Sequence, residues 1–206
     1  AAAAAAGCAG GAAGGGGSGP AVVQPGAPGQ EARRLDPEEV AALAAAPPAT
    51  AADVRFMRGM VSHHLQALEM TRLASERAVS EAVRMMALRM EISQRDEVER
   101  IRRWLAAHAA EEAAEETHAH AGDVPGMLTP EEMERLASAS GSAFDRLFLE
   151  SMIRHHEGAI TMVERLFGSS GSGQGAEIFR VASEIESDQR MEIARMRSLL
   201  EEGEKR

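Results

Sequence analysis

The strongest constraint on how this chain can fold is that part of it occurs twice. The stretch "MVSHHLQALEM" from Met60 to Met70 is matched by "MIRHHEGAITM" from Met152 to Met162. Across the wider windows Asp53–Met70 and Asp145–Met162, seven of 18 positions are identical, where unrelated composition would give roughly one. The flanks repeat as well. "LDPEEVAAL" from Leu35 answers "LTPEEMERL" from Leu128, and "QRDEVERIRRWL" from Gln94 answers "QRMEIARMRSLL" from Gln189. The chain is a duplicated unit, and a fold must give both copies equivalent surroundings.

Each copy opens with helix-start chemistry. Asp36 with Glu39, and Thr129 with Glu132, form capping boxes with Pro at the first helical position. Thr50 and Ser142 are the expected N-caps of the helices that follow, with Asp53 and Asp145 three residues on. Each copy then reads as a short helix, a long helix of about 25 residues, a turn and a second long helix. Val83, Met86, Met90, Ile101 and Leu105 lie near one stripe of the second long helix. No strand pattern is visible. The expected fold is all-α: a four-helix bundle made from a tandem duplicated helical unit, with short extra helices.

Residues 1–30 carry no charged side chain and cannot supply an ordinary core. They read as a signal remnant or flexible tether, leaving 31–206 for the bundle: first copy 35–105, acidic linker 106–127, second copy 128–200. The linker contains Gly122, Pro125 and Gly126 and is expected to be a mobile crossover. The only cysteine, Cys8, cannot form an internal disulfide. Its small-residue setting resembles a bacterial lipoprotein signal cleaved before Cys8, which would place a lipid anchor there; the alternative is a linker with an incidental cysteine. No run of 18 apolar residues follows residue 30, so no transmembrane helix is expected.

The net charge of −10 lies wholly beyond residue 30, which argues against a nucleic-acid partner and favours cations. Twelve methionines, 3% aromatics and no tyrosine add a supply of soft thioethers. On a helical wheel, Phe56, Met60, His63, Ala67 and Met70 share a stripe about 80° wide with His63 at its centre. His64 sits on the flank with Asp53 and Met57. The second copy repeats this, with Phe148, Met152, His155, Ala159 and Met162 inward and His156 beside Asp145. A ring on the centre line of a core stripe costs about 1–3 kcal/mol for each unpaired polar group. It needs a metal, or a partner such as Gln94, Glu97, Gln189 or Glu192 on the facing helices.

Four histidines flanked by methionine, in duplicate, point to a metal site, and thioether with imidazole donors favours Cu(I), with Cu(II) and Zn as further candidates. Met57, whose counterpart in the second copy is Leu149, is a ligand candidate in the first copy only. His118, His120 and Met127 form a candidate auxiliary site in the linker, and His108 reads as a cap. A di-iron enzyme on the same bundle would need Glu-x-x-His motifs on its long helices, and none of the four repeated histidines has Glu three residues before it; Glu115 with His118 has that spacing, but in the acidic linker. A helical interaction module with structural histidines is the remaining alternative, and no other catalytic motif is present.

The paired "M-x-x-H-H-x-x-A-x-x-M" helices and the closing "Q-x-x-E-I-x-x-M" resemble the bacterial family called domain of unknown function 305, which includes the copper-binding CopM-like proteins. The resemblance spans Leu35 to Leu200. It implies a ferritin-like bundle, usually exported to the periplasm or cell surface, with members linked to copper binding and copper tolerance through Met and His side chains. It points to Met60, His63, His64 and Met70, and to Met152, His155, His156 and Met162. Protein partners cannot be read from these residues.

Overall fold

A computed structural model describes residues 22–25, 29–44, 47–108 and 124–204. The chain divides into two units, Ala1–Ala45 and Ala46–Arg206. In the first, strand β1 (Val23–Gln24) pairs antiparallel with β2 (Arg33–Arg34), in the register Val23 to Arg34 and Gln24 to Arg33. This corrects the expectation of no strand: two residues per strand are too few to show an alternating pattern. Helix α1 (Pro37–Ala44) follows. Its capping box is formed, with the Glu39 amide donating to Asp36 at 2.8 Å and the Asp36 amide to Glu39 at 3.0 Å.

The second unit holds α2 (Ala51–Arg77), α3 (Glu81–Ala107), α4 (Pro130–Ser138), α5 (Gly141–Gly168) and α6 (Ala176–Glu204). The four long helices are a four-helix bundle: α2 and α3 form one hairpin, α5 and α6 the other, and the hairpins meet mainly along α2 and α5. Thr50 and Thr129 cap α2 and α4 with complete boxes. The cap expected at Ser142 is not formed. Helix α5 starts two residues earlier, at Gly141, whose φ of +64° lets the chain leave Ser140 sharply.

Asp145 is consequently free to bond elsewhere. Its carboxylate accepts from the Val79 and Ser80 amides at 3.2 and 2.9 Å, in the turn joining α2 to α3. Its counterpart Asp53 closes its own capping box and also accepts from the Gly173 amide at 2.7 Å, in the turn joining α5 to α6. Thr50 and Ser172 hydroxyls meet at 3.0 Å beside it. Each hairpin therefore satisfies backbone donors at the other's turn, which fixes α2 and α5 antiparallel. Both carboxylates are buried, so these charge-assisted bonds contribute on the order of 1.5–3 kcal/mol each.

The apolar core lies in two clusters. One contains Met70, Met90, Phe148, Met152 and Met196; the other contains Met57, Met60, Trp104, Met162 and Ile185. The antiparallel pairing explains the division, because Met60 meets the end of α5 that carries Met162, and Met70 the end that carries Met152. Between the clusters, along α2 and α5, fall the histidines. No helix among the described residues is long and apolar enough to cross a membrane.

Candidate metal centre

His63, His64, His155 and His156 are all at most 1% exposed. The flank assigned to His64 and His156 is thus as buried as the centre line. Each first helix is covered by its own hairpin partner as well as by the opposite hairpin, so the buried arc is wider than one stripe. On that flank His64 Nε2 meets Glu97 at 2.5 Å, and His156 Nε2 meets Glu192 at 2.6 Å. The two pairs are equivalent under the repeat. Glu97 and Glu192 come from α3 and α6, each three residues after a buried glutamine, Gln94 or Gln189.

The inward pair has no such partner. The His63 and His155 rings lie against each other across the pseudo-two-fold axis, with centroids 3.7 Å apart and planes inclined by 34°. Neither ring makes a hydrogen bond through Nδ1 or Nε2, and Nδ1 of both His64 and His156 is also unbonded. Both amide atoms of Gln94 and the Gln189 oxygen join them. A layer of buried, unpaired polar atoms thus sits between two methionine-rich clusters. Among the described residues no three His, Cys, Asp or Glu side chains are grouped to hold a metal ion. What the layer offers instead is imidazole nitrogen bracketed by Met60 and Met162 on one side and Met70 and Met152 on the other. That donor set suits a soft ion.

Burial, with repulsion from charge on His64 and His156, pushes the His63 pKa down to about 3, although nearby Pro125 and His155 carbonyls offset part of this. Burial also holds His155 well below the ordinary imidazole range, with the neighbouring histidines adding repulsion. The sign follows directly. Below the unfolded value of about 6.5, the unfolded chain takes up protons that the folded chain refuses, so stability is fully present above pH 6.5 and falls as pH drops toward 3. Each of these two histidines contributes a slope of about 1.4 kcal/mol per pH unit in that window. In urea titrations of metal-free protein between pH 6.5 and 4.5, His63→Leu should flatten the slope by that amount; an unchanged slope would mean that His63 protonates freely in the fold.

Met57 is fully buried beside Met60. His118 and His120, like Cys8, lie outside the described residues, while Met127 is half-buried. His108 caps α3, stacking on Trp104 at 4.0 Å with its Nδ1 2.8 Å from the Trp104 carbonyl. Asp53 and Asp145 are occupied by the turn amides, and of the four expected partners Glu97 and Glu192 reach a histidine.

Val124–Met127, the described end of the stretch expected to be a mobile crossover, is packed onto α5. A β-carbon on Gly158 would stand 2.1 Å from the Pro125 carbonyl oxygen. A β-carbon on Gly126, at φ +78°, would stand 2.7 and 2.9 Å from the Arg154 and His155 carbonyl oxygens. At the position of α2 equivalent to Gly158, the Gln66 amide bonds both backbone groups of Leu128, at 2.9 and 2.7 Å. A glycine in mid-helix is the signal that would have found this seat, since it costs about 1 kcal/mol relative to alanine unless something needs the space.

These observations define a class: an all-helical bundle whose two equivalent hairpins meet in a buried layer of histidine, glutamine and glutamate. Residues 53–200 match the family described as Domain of unknown function (DUF305), and the chain belongs to it. A DUF305 fragment from Deinococcus radiodurans is 31% identical, with a TM-score of 0.65, over 76% of this chain and 99% of that one. A DUF305 protein of Streptomyces coelicolor, presumed to be secreted, is 27% identical with a TM-score of 0.63, covering 74% and 93%. CopM, solved in a Cu(II)-bound form, is 23% identical with a TM-score of 0.60, covering 73% and 96%. Its Cu(I)-bound form is similar at a TM-score of 0.56. None of the curated proteins matches this sequence.

Proposed function

We propose that this is an exported copper-binding protein that sequesters or passes on Cu(I). The observation that carries the reading is the set of unpaired nitrogens on His63 and His155 at the centre of the bundle. Buried imidazoles without partners destabilise a fold, and a soft cation relieves that cost while gaining thioether ligands from the clusters on either side. His63 and His155 would hold copper together with thioethers on either side of the layer, Met60 and Met162 on one side and Met70 and Met152 on the other; Met57 shares a cluster with Met60 and would supplement that side. His64 and His156, braced by Glu97 and Glu192, would contribute through their free Nδ1 atoms. Two protein relatives support the wider reading: CopM has been solved with copper in both oxidation states, and the Streptomyces protein is presumed to be secreted. Export and a lipid anchor at Cys8 belong to this proposal.

The test is competition of the full chain against a Cu(I) chelator under reducing conditions, beside the variant with His63, His64, His155 and His156 changed to Ala. The variant should bind more weakly by on the order of 100-fold, the residual affinity coming from thioethers, which do not titrate. Equal binding by the two would sink the assignment. The Glu97 and Glu192 bonds favour a second reading for the outer pair alone, as structural histidines. On that reading His64→Ala with His156→Ala lowers stability and leaves Cu(I) affinity unchanged.

A further inference from the structure

The His layer is duplicated, but its two sides are not equally open to solvent. A groove of about 310 Å³ runs between α3 and α6, lined by Met86, Arg89, Ser93, Asp188, Met191, Glu192 and Arg195. Glu192 connects the groove to the interior: its side chain is 21% exposed at the groove, and its carboxylate holds His156 Nε2. The equivalent Glu97 side chain is 7% exposed.

The repeat explains the difference. Gln94 matches Gln189, and the same offset places Val181, Glu184 and Asp96 where the groove has Met86, Arg89 and Met191, and Arg100 where it has Arg195. On that second side Arg100 and Glu184 form an ion pair that bridges α3 and α6. On the groove side the same two places hold Arg89 and Arg195, whose like charges cannot bridge the helices. The thioethers also stand on the groove side only. Met191 is 61% exposed, whereas Met86 is buried at the floor.

We infer that Cu(I) enters and leaves the His layer by the groove side alone, passing from Met191 and Met86 to the Glu192 and His156 pair. This inference rests on the copper reading above. A soft cation leaving a carrier needs thioether ligands at the surface and a negative field to draw it inward. The thioethers are those of Met191 and Met86, and the negative charge is supplied by Asp188 and by Glu192, whose carboxylate reaches in to His156. The step beyond Glu192 meets side chains with unused capacity, namely His156 Nδ1 and the buried Gln94 amide, next in sequence to the groove residue Ser93.

The closing experiment is stopped-flow transfer of Cu(I) from its bicinchoninate complex to the full chain, with equilibrium competition measured on the same samples. Arg195 already pairs with Glu202 on its own helix; Arg89→Glu offers it a partner across the groove and should close the groove as Arg100 and Glu184 close the other side. Transfer should slow by about tenfold or more while the equilibrium affinity stays within about twofold. Arg89→Gln, which removes the charge without making a bridge, should transfer at least as fast as the parent. The direction is discriminating, because extra negative charge alone would speed cation arrival. An Arg89→Glu rate equal to or above the parent's overturns the route. A loss of affinity parallel to the loss of rate also overturns it, by making the groove part of the binding site. A parent that takes up no Cu(I) at equilibrium overturns the copper reading itself.

Discussion

Gly158→Ala should destabilise the protein by about 2–4 kcal/mol, although alanine is the better helix former. The added β-carbon meets backbone, not a side chain that can swing away: the Pro125 carbonyl at 2.1 and 2.5 Å and the Gly126 Cα at 2.7 Å. The returning chain must lift off α5. That movement strains the two bonds from Gln66 to Leu128 as well. Gly168→Ala, at the end of the same helix where a β-carbon meets nothing within 4 Å, is the control and should shift stability by less than about 0.5 kcal/mol. Urea midpoints measured side by side decide the matter. If the two variants behave alike, the chain does not rest on Gly158 in solution.

The second large effect has the opposite sign. Changing His63 and His155 together to Leu should raise the stability of metal-free protein at pH 7 by about 2–4 kcal/mol. Two stacked imidazoles with four unbonded nitrogens give way to two apolar side chains between clusters already rich in methionine and phenylalanine. The gain in stability should come with loss of tight Cu(I) binding, which is the expected relation between a buried binding layer and the fold that holds it. The same double variant should lose the stability decline between pH 6.5 and 4.5 that these two histidines cause. If it instead unfolds more easily at pH 7, the rings are structural and their nitrogens find partners in solution.

Much of this architecture was legible in the sequence because it rests on local chemistry. The capping residues at Asp36, Thr50 and Thr129 act within four residues, and helical periodicity placed His63 and His155 in the core. The repeat then placed the second copy from the first. What could not be read depends on distant packing. A wheel drawn for one helix shows which side is apolar, but not that α3 and α6 cover the flank and bring Glu97 and Glu192 to His64 and His156. It places the two inward rings on facing helices without revealing that they would meet each other in preference to a carboxylate. Asp145 was read as the twin of Asp53, and the turns it serves lie 65 and 66 residues away. Ser142 failed as a cap because glycine at 141 offered the chain an earlier start. The Pro125–Gly126 seat was hidden because glycine and proline in a linker usually signal freedom.

The ion pair between Arg100 and Glu184 has a consequence for the kind of assembly that could carry such a layer. One copy of this unit, associating with itself, would build the same stacked rings on an exact rotation axis. In that homodimer every surface feature would come twice, so a seal on one face would force a seal on the other, and an opening would force a second opening. Joining the copies in one chain breaks the symmetry. The interior can remain paired while position 89 and its counterpart 184 carry opposite charges, a choice that no symmetric dimer can make.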